Sequence, residues 1–276
     1  MTMTARVSTG PILHDRDFRR VQKHLYEHAG IHLSDGKKPL VASRLLSRLK
    51  ASGLSTYADY IDHTLDNPES AEHQALIDSL TTNETYFFRE PEHFTFLEQL
   101  LAEHRNKKHW RIWSGASSTG EEIYSLAMVL ADHLGLNGQW EVVGTDLSHK
   151  VIAEAVRGHY PMSRHEGISL QRLKRYCLKG VGPQEGTLLI DDALKRHVRF
   201  SIRNLMQSTR SEERYDIIFL RNVMIYFNNA SKQTVLNNVL RQLKVGGYFF
   251  ISHTESLMNT THRLEPVKSS IYRLTE

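Results

Sequence analysis

Apolar residues recur at helical spacing through the first ninety residues, and strand-like apolar runs begin only after residue 108. From Asp15, an N-cap candidate, Phe18, Val21 and Leu25 share one face of a helix that stops at Gly30. A second helix is expected over about 38–51, where Leu40, Val41, Leu45, Leu46 and Leu49 are apolar, ending near Gly53. Third and fourth helices fit 56–65 and 70–81. The pattern predicts a flexible tail over 1–13 and a small all-α domain over 14–90.

Beyond it, Pro91 suits the first turn of a helix over 92–105. Strands are expected over 110–114, 140–145, 215–220 and 246–251, and helices over 120–134, 148–157 and 230–243. Short loops and apolar strands such as Asp216-Ile-Ile-Phe-Leu220 imply an α/β domain over 91–276, built on a mostly parallel, doubly covered sheet. Ile271-Tyr272 with Leu274 predicts an antiparallel edge strand. Residues 158–203 interrupt the alternation: Gly180-Val-Gly-Pro183, the strand-like Thr187 to Ile190, and His197 to Ile202 suggest an inserted helix with a small antiparallel sheet.

Candidate chemistry gathers where predicted strands end. Arg111-Ile-Trp-Ser-Gly-Ala-Ser-Ser-Thr-Gly-Glu-Glu122 reads as a strand, a turn of small residues, and a helix whose first turn carries Glu121 and Glu122. Such a unit opens the nucleotide site of a doubly wound sheet. The spacing is not G-x-G-x-x-G, and acids at the helix start serve a pyrophosphate badly. A cationic, polyhydroxyl ligand such as S-adenosylmethionine suits them better; an acid-capped turn accounts for the same residues. Asp146, closing the second strand, stands where an acid accepts ribose hydroxyls, and is equally compatible with an N-cap. Asn222 and Tyr226 follow the strand at 215–220, at the carboxyl edge where open sheets bind ligands. Thr81-Thr-Asn-Glu-Thr-Tyr-Phe-Phe-Arg-Glu90 places a polar cluster and Arg89 beside two aromatics at the domain junction.

Composition narrows the classes. The 276 residues are 40% hydrophobic and 24% charged, ordinary for a soluble globular protein, with no apolar run of membrane-spanning length and no secretory h-region at the start. Cys177 is the only cysteine, which excludes an internal disulfide and a cysteine-based zinc cluster. A cytoplasmic location is the expectation. The net charge of +4 is a mild basic excess. Within it, residues 36–58 hold Lys37, Lys38, Arg44, Arg48 and Lys50 and no acid, either a solvated helix face or a docking surface for an acidic partner.

Taken together, TTNETYFFRE (81–90), WSGASSTGEE (113–122), GTD (144–146) and RNVMIYF (221–227) closely resemble the CheR family of chemotaxis receptor methyltransferases, in order and spacing, over about 15–274. The resemblance implies a small all-α N-terminal domain joined to a Rossmann-like S-adenosylmethionine-dependent methyltransferase domain that carries a small inserted β-subdomain. It places cofactor contacts on Asn83, Thr85, Arg89, Glu122, Asp146, Asn204, Leu205, Asn222 and Val223. It implies methyl ester formation on receptor glutamates. For that chemistry Arg89, with Tyr226 beside it, is a candidate either for orienting the acceptor carboxylate or for holding only the cofactor's carboxylate, and Arg44, Arg48 and Lys50 are candidates for docking the acidic receptor helix. Partners are then the cytoplasmic domains of chemoreceptors, with no metal, nucleic acid or membrane insertion, and a monomeric enzyme. The compact loop Lys179 to Gly186 resembles that of members gripping a receptor's C-terminal pentapeptide as an added strand, with Lys195 and Arg199 as candidates to meet its acids. Two other readings are a nucleic-acid methyltransferase and a non-catalytic receptor-binding protein on the same fold.

Overall fold

A computed structural model describes residues 10–208 and 214–276; the tail expected over 1–13 lies largely outside them. The chain divides into two compact units, Met1–Thr82 and Asn83–Glu276.

The first unit is helical: α1 (Asp15–Ala29), α2 (Lys38–Ala51), α3 (Tyr57–Leu65) and α4 (Ala71–Leu80). Local chemistry sets the ends. Thr56 and Ser70 accept the main-chain N–H of Asp59 and His73, capping α3 and α4. Gly30, at φ 71°, closes α1 in the left-handed conformation. Asp15 is not the cap of α1; it is the first helical residue, favourable to the dipole, and it pairs with Lys38. Val21, Leu25, Leu45, Leu49, Ile61 and Ile77 fill the core.

The acid-free stretch is matched by acids from other helices. Arg48 grips Glu72 with two donors, and Tyr60 donates to the same carboxylate at 2.7 Å. Arg44 donates to the carbonyls of Leu80 (2.9 Å) and Thr81 (3.2 Å), satisfying groups that the end of α4 leaves open. Both guanidiniums are therefore engaged inside the unit, whereas Lys37 and Lys50 are exposed.

The second unit begins with α5 (Pro91–Glu103) and continues β1 (His109–Gly115), α6 (Glu121–Leu134), β2 (Gln139–Asp146), α7 (His149–Arg157), β3 (His159–Pro161), α8 (Leu170–Tyr176), β4 (Cys177–Lys179), β5 (Thr187–Ile190), α9 (Asp192–Lys195), β6 (Val198–Ile202), β7 (Tyr215–Phe219), α10 (Asn229–Leu240), β8 (Leu243–Phe250), β9 (Leu264–Lys268) and β10 (Ile271–Leu274). Its main sheet runs β6-β2-β1-β7-β8-β10-β9. The first five are parallel, and β10 and β9 are antiparallel additions. All five residues of β7 are buried, as a central strand covered on both faces requires.

Three expectations are corrected. The edge strand is β9, not β10; Pro266 within β9 suits an edge, where a missing donor costs no ladder bond. The insertion ends before Val198, because β6 pairs in parallel with β2, from Val142↔Val198 to Asp146↔Ile202. Arg199 therefore belongs to the main sheet, 3.7 Å from Glu141, and Lys195 donates to the carbonyl of Arg157 at 2.8 Å; neither lies on the small sheet. That sheet is antiparallel, in order β3-β5-β4, with Thr187–Ile190 in its centre.

Candidate active site

The turn after β1 is built from left-handed backbone. Ala116, Ser118 and Gly120 have φ of 58°, 49° and 94°. At Gly120 a Cβ would also sit 2.9 Å from the Ala155 Cβ, so glycine is required twice over. Ser117 N–H donates to the carbonyl of Thr145 at 2.9 Å, and Tyr160 Oη donates to that of Thr119 at 2.6 Å. Ser118 joins three segments: its N–H donates to Asp146 Oδ2 (2.9 Å) and its Oγ to the carbonyl of Asn83 (2.9 Å). Asp146 also accepts from Ser148 N–H at 2.9 Å; the cap of α7 is Ser148, whose Oγ accepts from Val151 N–H, and Asp146 lies beside the turn.

The two acids at the start of α6 diverge. Glu121 is fully buried, accepting from Thr119 Oγ1 (2.6 Å) and Arg164 (2.7 Å), which ties the insertion to the turn. Glu122 accepts from Ser114 Oγ (2.7 Å) and from Arg221 (2.9 Å). Arg221, just beyond β7, has a buried guanidinium that also lies 3.2 Å from Glu90 and donates to the carbonyl of Arg89. Burial opposes ionisation of Glu90, but the bond from Ser252 and the charge of Arg221 prevail and hold its carboxyl below the usual range. Burial, then Arg221, depresses His93 to about 3.

Glu90, His93 and His253 bring possible ligand atoms within 4.8 Å of one another. Arg221 already supplies a cation at Glu90, and Ser270 Oγ bridges His93 Nε2 (2.8 Å) and His253 Nδ1 (2.9 Å). The group reads as a hydrogen-bonded network that holds a carboxylate.

The loops beyond β7 and β8 meet at Glu255. Asn222, at φ 59°, donates its N–H to Glu255 (3.0 Å) and its Nδ2 to Ser252 Oγ (2.8 Å). Tyr226 is half-buried on the short turn Met224–Tyr226 that follows Val223. Asn204 Oδ1 accepts from Met206 N–H at 3.0 Å, and the carbonyl of Leu205 accepts from Asn238 at 3.1 Å. A Cβ on Gly115 would lie 2.9 Å from Leu220 and 3.4 Å from Leu205, so these residues stand around the end of β1.

Asn83, Glu122, Asp146, Leu205 and Asn222 are thus set along the carboxyl ends of adjoining parallel strands, with Thr85 and Arg89 in the segment that Ser118 and Arg221 hold. Arg89 itself donates to the carbonyl of Glu84 (3.0 Å) and lies 5.6 Å from the Tyr86 ring centre. Arg44, Arg48 and Lys50 belong to the helical unit. Sequence reasoning missed Arg221, Glu90 and Glu255. The readable signal was Arg221, a charge ending an apolar strand; Glu255 sits in a polar loop without one.

Comparison with known proteins follows the division into two units. The family described as "CheR methyltransferase, SAM binding domain" matches residues 83–273, and "CheR methyltransferase, all-alpha domain" matches 16–81. The chain is 39% identical over 280 residues to a chemotaxis protein methyltransferase of Salmonella typhimurium, covering 100% of this chain and 94% of that one. It is 38% identical to the Escherichia coli protein of the same name (100% and 95% covered). It is also 38% identical to chemotaxis protein methyltransferase 2 of Pseudomonas aeruginosa (93% and 92%).

Proposed function

The chain belongs to the CheR methyltransferase family, and we propose that, as an S-adenosylmethionine-dependent methyltransferase of chemoreceptors, it esterifies glutamate side chains in their cytoplasmic domains. Nucleic-acid methylation and a non-catalytic role are not favoured, because the relatives named chemotaxis protein methyltransferase align over its full length.

The observation that carries the reading is the pair of acids at the strand ends. Asp146 lies beside the small-residue turn and Glu122 beneath it, a set suited to ribose hydroxyls and an ammonium. The residues fit the cofactor: among the described residues, Ser117 Oγ and Arg221 Nε are buried without a hydrogen-bond partner, and Gly115 keeps bare backbone at the end of β1, where a Cβ would press on Leu220. Asn83, Thr85, Arg89, Asn204, Leu205, Asn222 and Val223 complete the proposed contacts. When bound, S-adenosylmethionine supplies an electrophilic methyl group on a sulfonium.

The protein's own task is alignment. A glutamate with a pKa near about 4.3 is ionised at neutral pH, so no general base is needed. Holding its oxygen in line at contact distance contributes about 7–11 kcal/mol. Arg89 orients the carboxylate, exchanging its contact with Glu84, and Tyr226 donates beside it. Charge is neutralised as the ester forms, so exclusion of water favours the step. Lys37 and Lys50 offer the exposed charge of the helical unit to an acidic receptor helix; Arg44 and Arg48 contribute by holding α2 against α4. The free edge of the small sheet accepts a receptor C-terminal peptide. A cytoplasmic monomer suits this role, and no helix among the described residues is long and apolar enough to cross a membrane.

The test is transfer of tritiated methyl to a receptor cytoplasmic fragment. Label released by mild base is expected, as for an ester; base-stable label, or label on RNA instead, rejects the proposal.

A further inference from the structure

Glu255 stands out as a half-buried acid that the mechanism above does not use. Its carboxylate meets main-chain donors: N–H of Asn222 (3.0 Å), Met224 (2.7 Å) and Ser252 (2.8 Å). Among the described residues, no cation pairs with it. Burial pushes its carboxyl above the usual value, against the bonds from these N–H groups and that of Val223.

The donors belong to two loops at the carboxyl ends of β7 and β8, which are neighbours in the sheet. One loop contains Asn222 and Tyr226. Its backbone is forced at Asn222, where φ is 59°, a conformation held by the N–H bond to Glu255 and the side-chain bond to Ser252. Ser252 Oγ in turn donates to Glu90 Oε1 at 2.6 Å, which extends the clamp toward the segment bearing Arg89. A charged acceptor serves several convergent N–H groups better than any neutral side chain, since all its lone pairs face donors.

We propose that Glu255 is a positioning residue for methyl transfer, a main-chain acceptor that locks the 222–226 loop in the conformation placing Asn222 and Tyr226. The proposal rests on the reading of that loop as part of the methyl-transfer site.

Glu255→Gln keeps the volume but turns one acceptor into a donor that faces N–H groups. A misplacement of about 1 Å costs on the order of 100-fold in rate. In the full-length chain this variant is expected to lose about 100-fold in kcat per folded site and about tenfold in S-adenosylhomocysteine affinity by calorimetry. Glu255→Asp, which keeps the charge, is expected to recover part of both. A purely structural role would lower the melting temperature and leave kcat and affinity per folded site unchanged. Wild-type kcat and affinity in Glu255→Gln overturn the proposal. Should that variant not fold, hydrogen exchange on the wild type decides: the amides of Asn222, Met224 and Ser252 must be protected, and exchange at open-loop rates rejects the clamp. S-adenosylhomocysteine binding and exchange do not depend on the methyl acceptor, so failure of the proposed substrate leaves this test standing.

Discussion

Arg221 holds two carboxylates, Glu122 and Glu90, with its own side chain 1% exposed. Removing one partner of a buried ionic group costs about 3–5 kcal/mol, because the remaining charges lose their counter-ion. Arg221→Met is expected to fall in that range by urea unfolding, with Arg221→Lys between it and the wild type. A loss under about 1 kcal/mol, the scale of an exposed pair, would mean that the carboxylates reach solvent. His93 gives a pH dependence. Its folded value of about 3 lies below the ordinary 6.5, so between them the unfolded chain binds a proton that the folded chain refuses. The stability it contributes is present above pH 6.5 and is lost as pH falls toward 3. The slope from one such group approaches about 1.4 kcal/mol per pH unit. His93→Gln is expected to be less stable at pH 7.5 and to show a shallower decline from pH 6.5 to 5 in urea midpoints. Equal slopes would show that His93 takes up its proton within the fold. At this scale Asp146 and Asn222 were legible from their places at strand ends. Arg221 showed only as a charge ending an apolar strand and Glu90 not at all, because their roles depend on partners 99 and 162 positions away in sequence.

Among the elements, helices with a clean apolar face were readable to within two residues, as in α1 to α4, where Thr56 and Ser70 mark the starts. The strands β1, β2 and β7 were equally plain, being apolar runs followed by small or polar residues. Two elements escaped for physical reasons. Val198, Phe200 and Ile202 alternate with polar residues, which suits a small antiparallel sheet as well as the edge of a parallel one, and only the pairing with β2 decides. In β9, Pro266 and exposed neighbours hide a strand whose one buried residue is Leu264. The end of α10 at Leu240 rather than 243, and the start of β8 at Leu243 rather than 246, have one cause. Gly246, at φ 77°, lies inside β8, where the register with β7 shifts, so the strand already begins at Leu243 instead of starting at the glycines.

At the scale of the whole molecule, the chain joins a helical unit to a methyltransferase unit that carries its own small sheet, and that sheet has two unequal edges. On β3, the register leaves the main-chain groups of His159 and Pro161 facing outward, since Met162 N–H donates to Gly186 and Ile190 N–H to Gly158. Pro161 has no N–H, so this edge is a poor template. On β4, Gly180 N–H donates to Thr187 and Asp191 N–H to Tyr176, which turns the groups of Cys177 and Lys179 outward. Leu178 and Val181 beside them are 52% and 76% exposed. An added strand gains affinity from main-chain bonds and sequence choice from side-chain contacts. Deleting the segment around β5 would not test this, because β5 is the central strand and the sheet would be lost with it. Lys179→Pro removes one outward donor and leaves the ladder to β5 complete. It is expected to abolish calorimetric binding of an aromatic-acidic receptor pentapeptide while S-adenosylhomocysteine affinity and melting temperature hold. Lys179→Ala, which keeps the N–H and loses only the side-chain charge, should bind with a modest loss. Equal losses from both would assign the contact to charge rather than to strand addition. No heat from the wild-type protein, with full methylation of tail-less receptors, would place the chain among enzymes that find their substrate without the peptide.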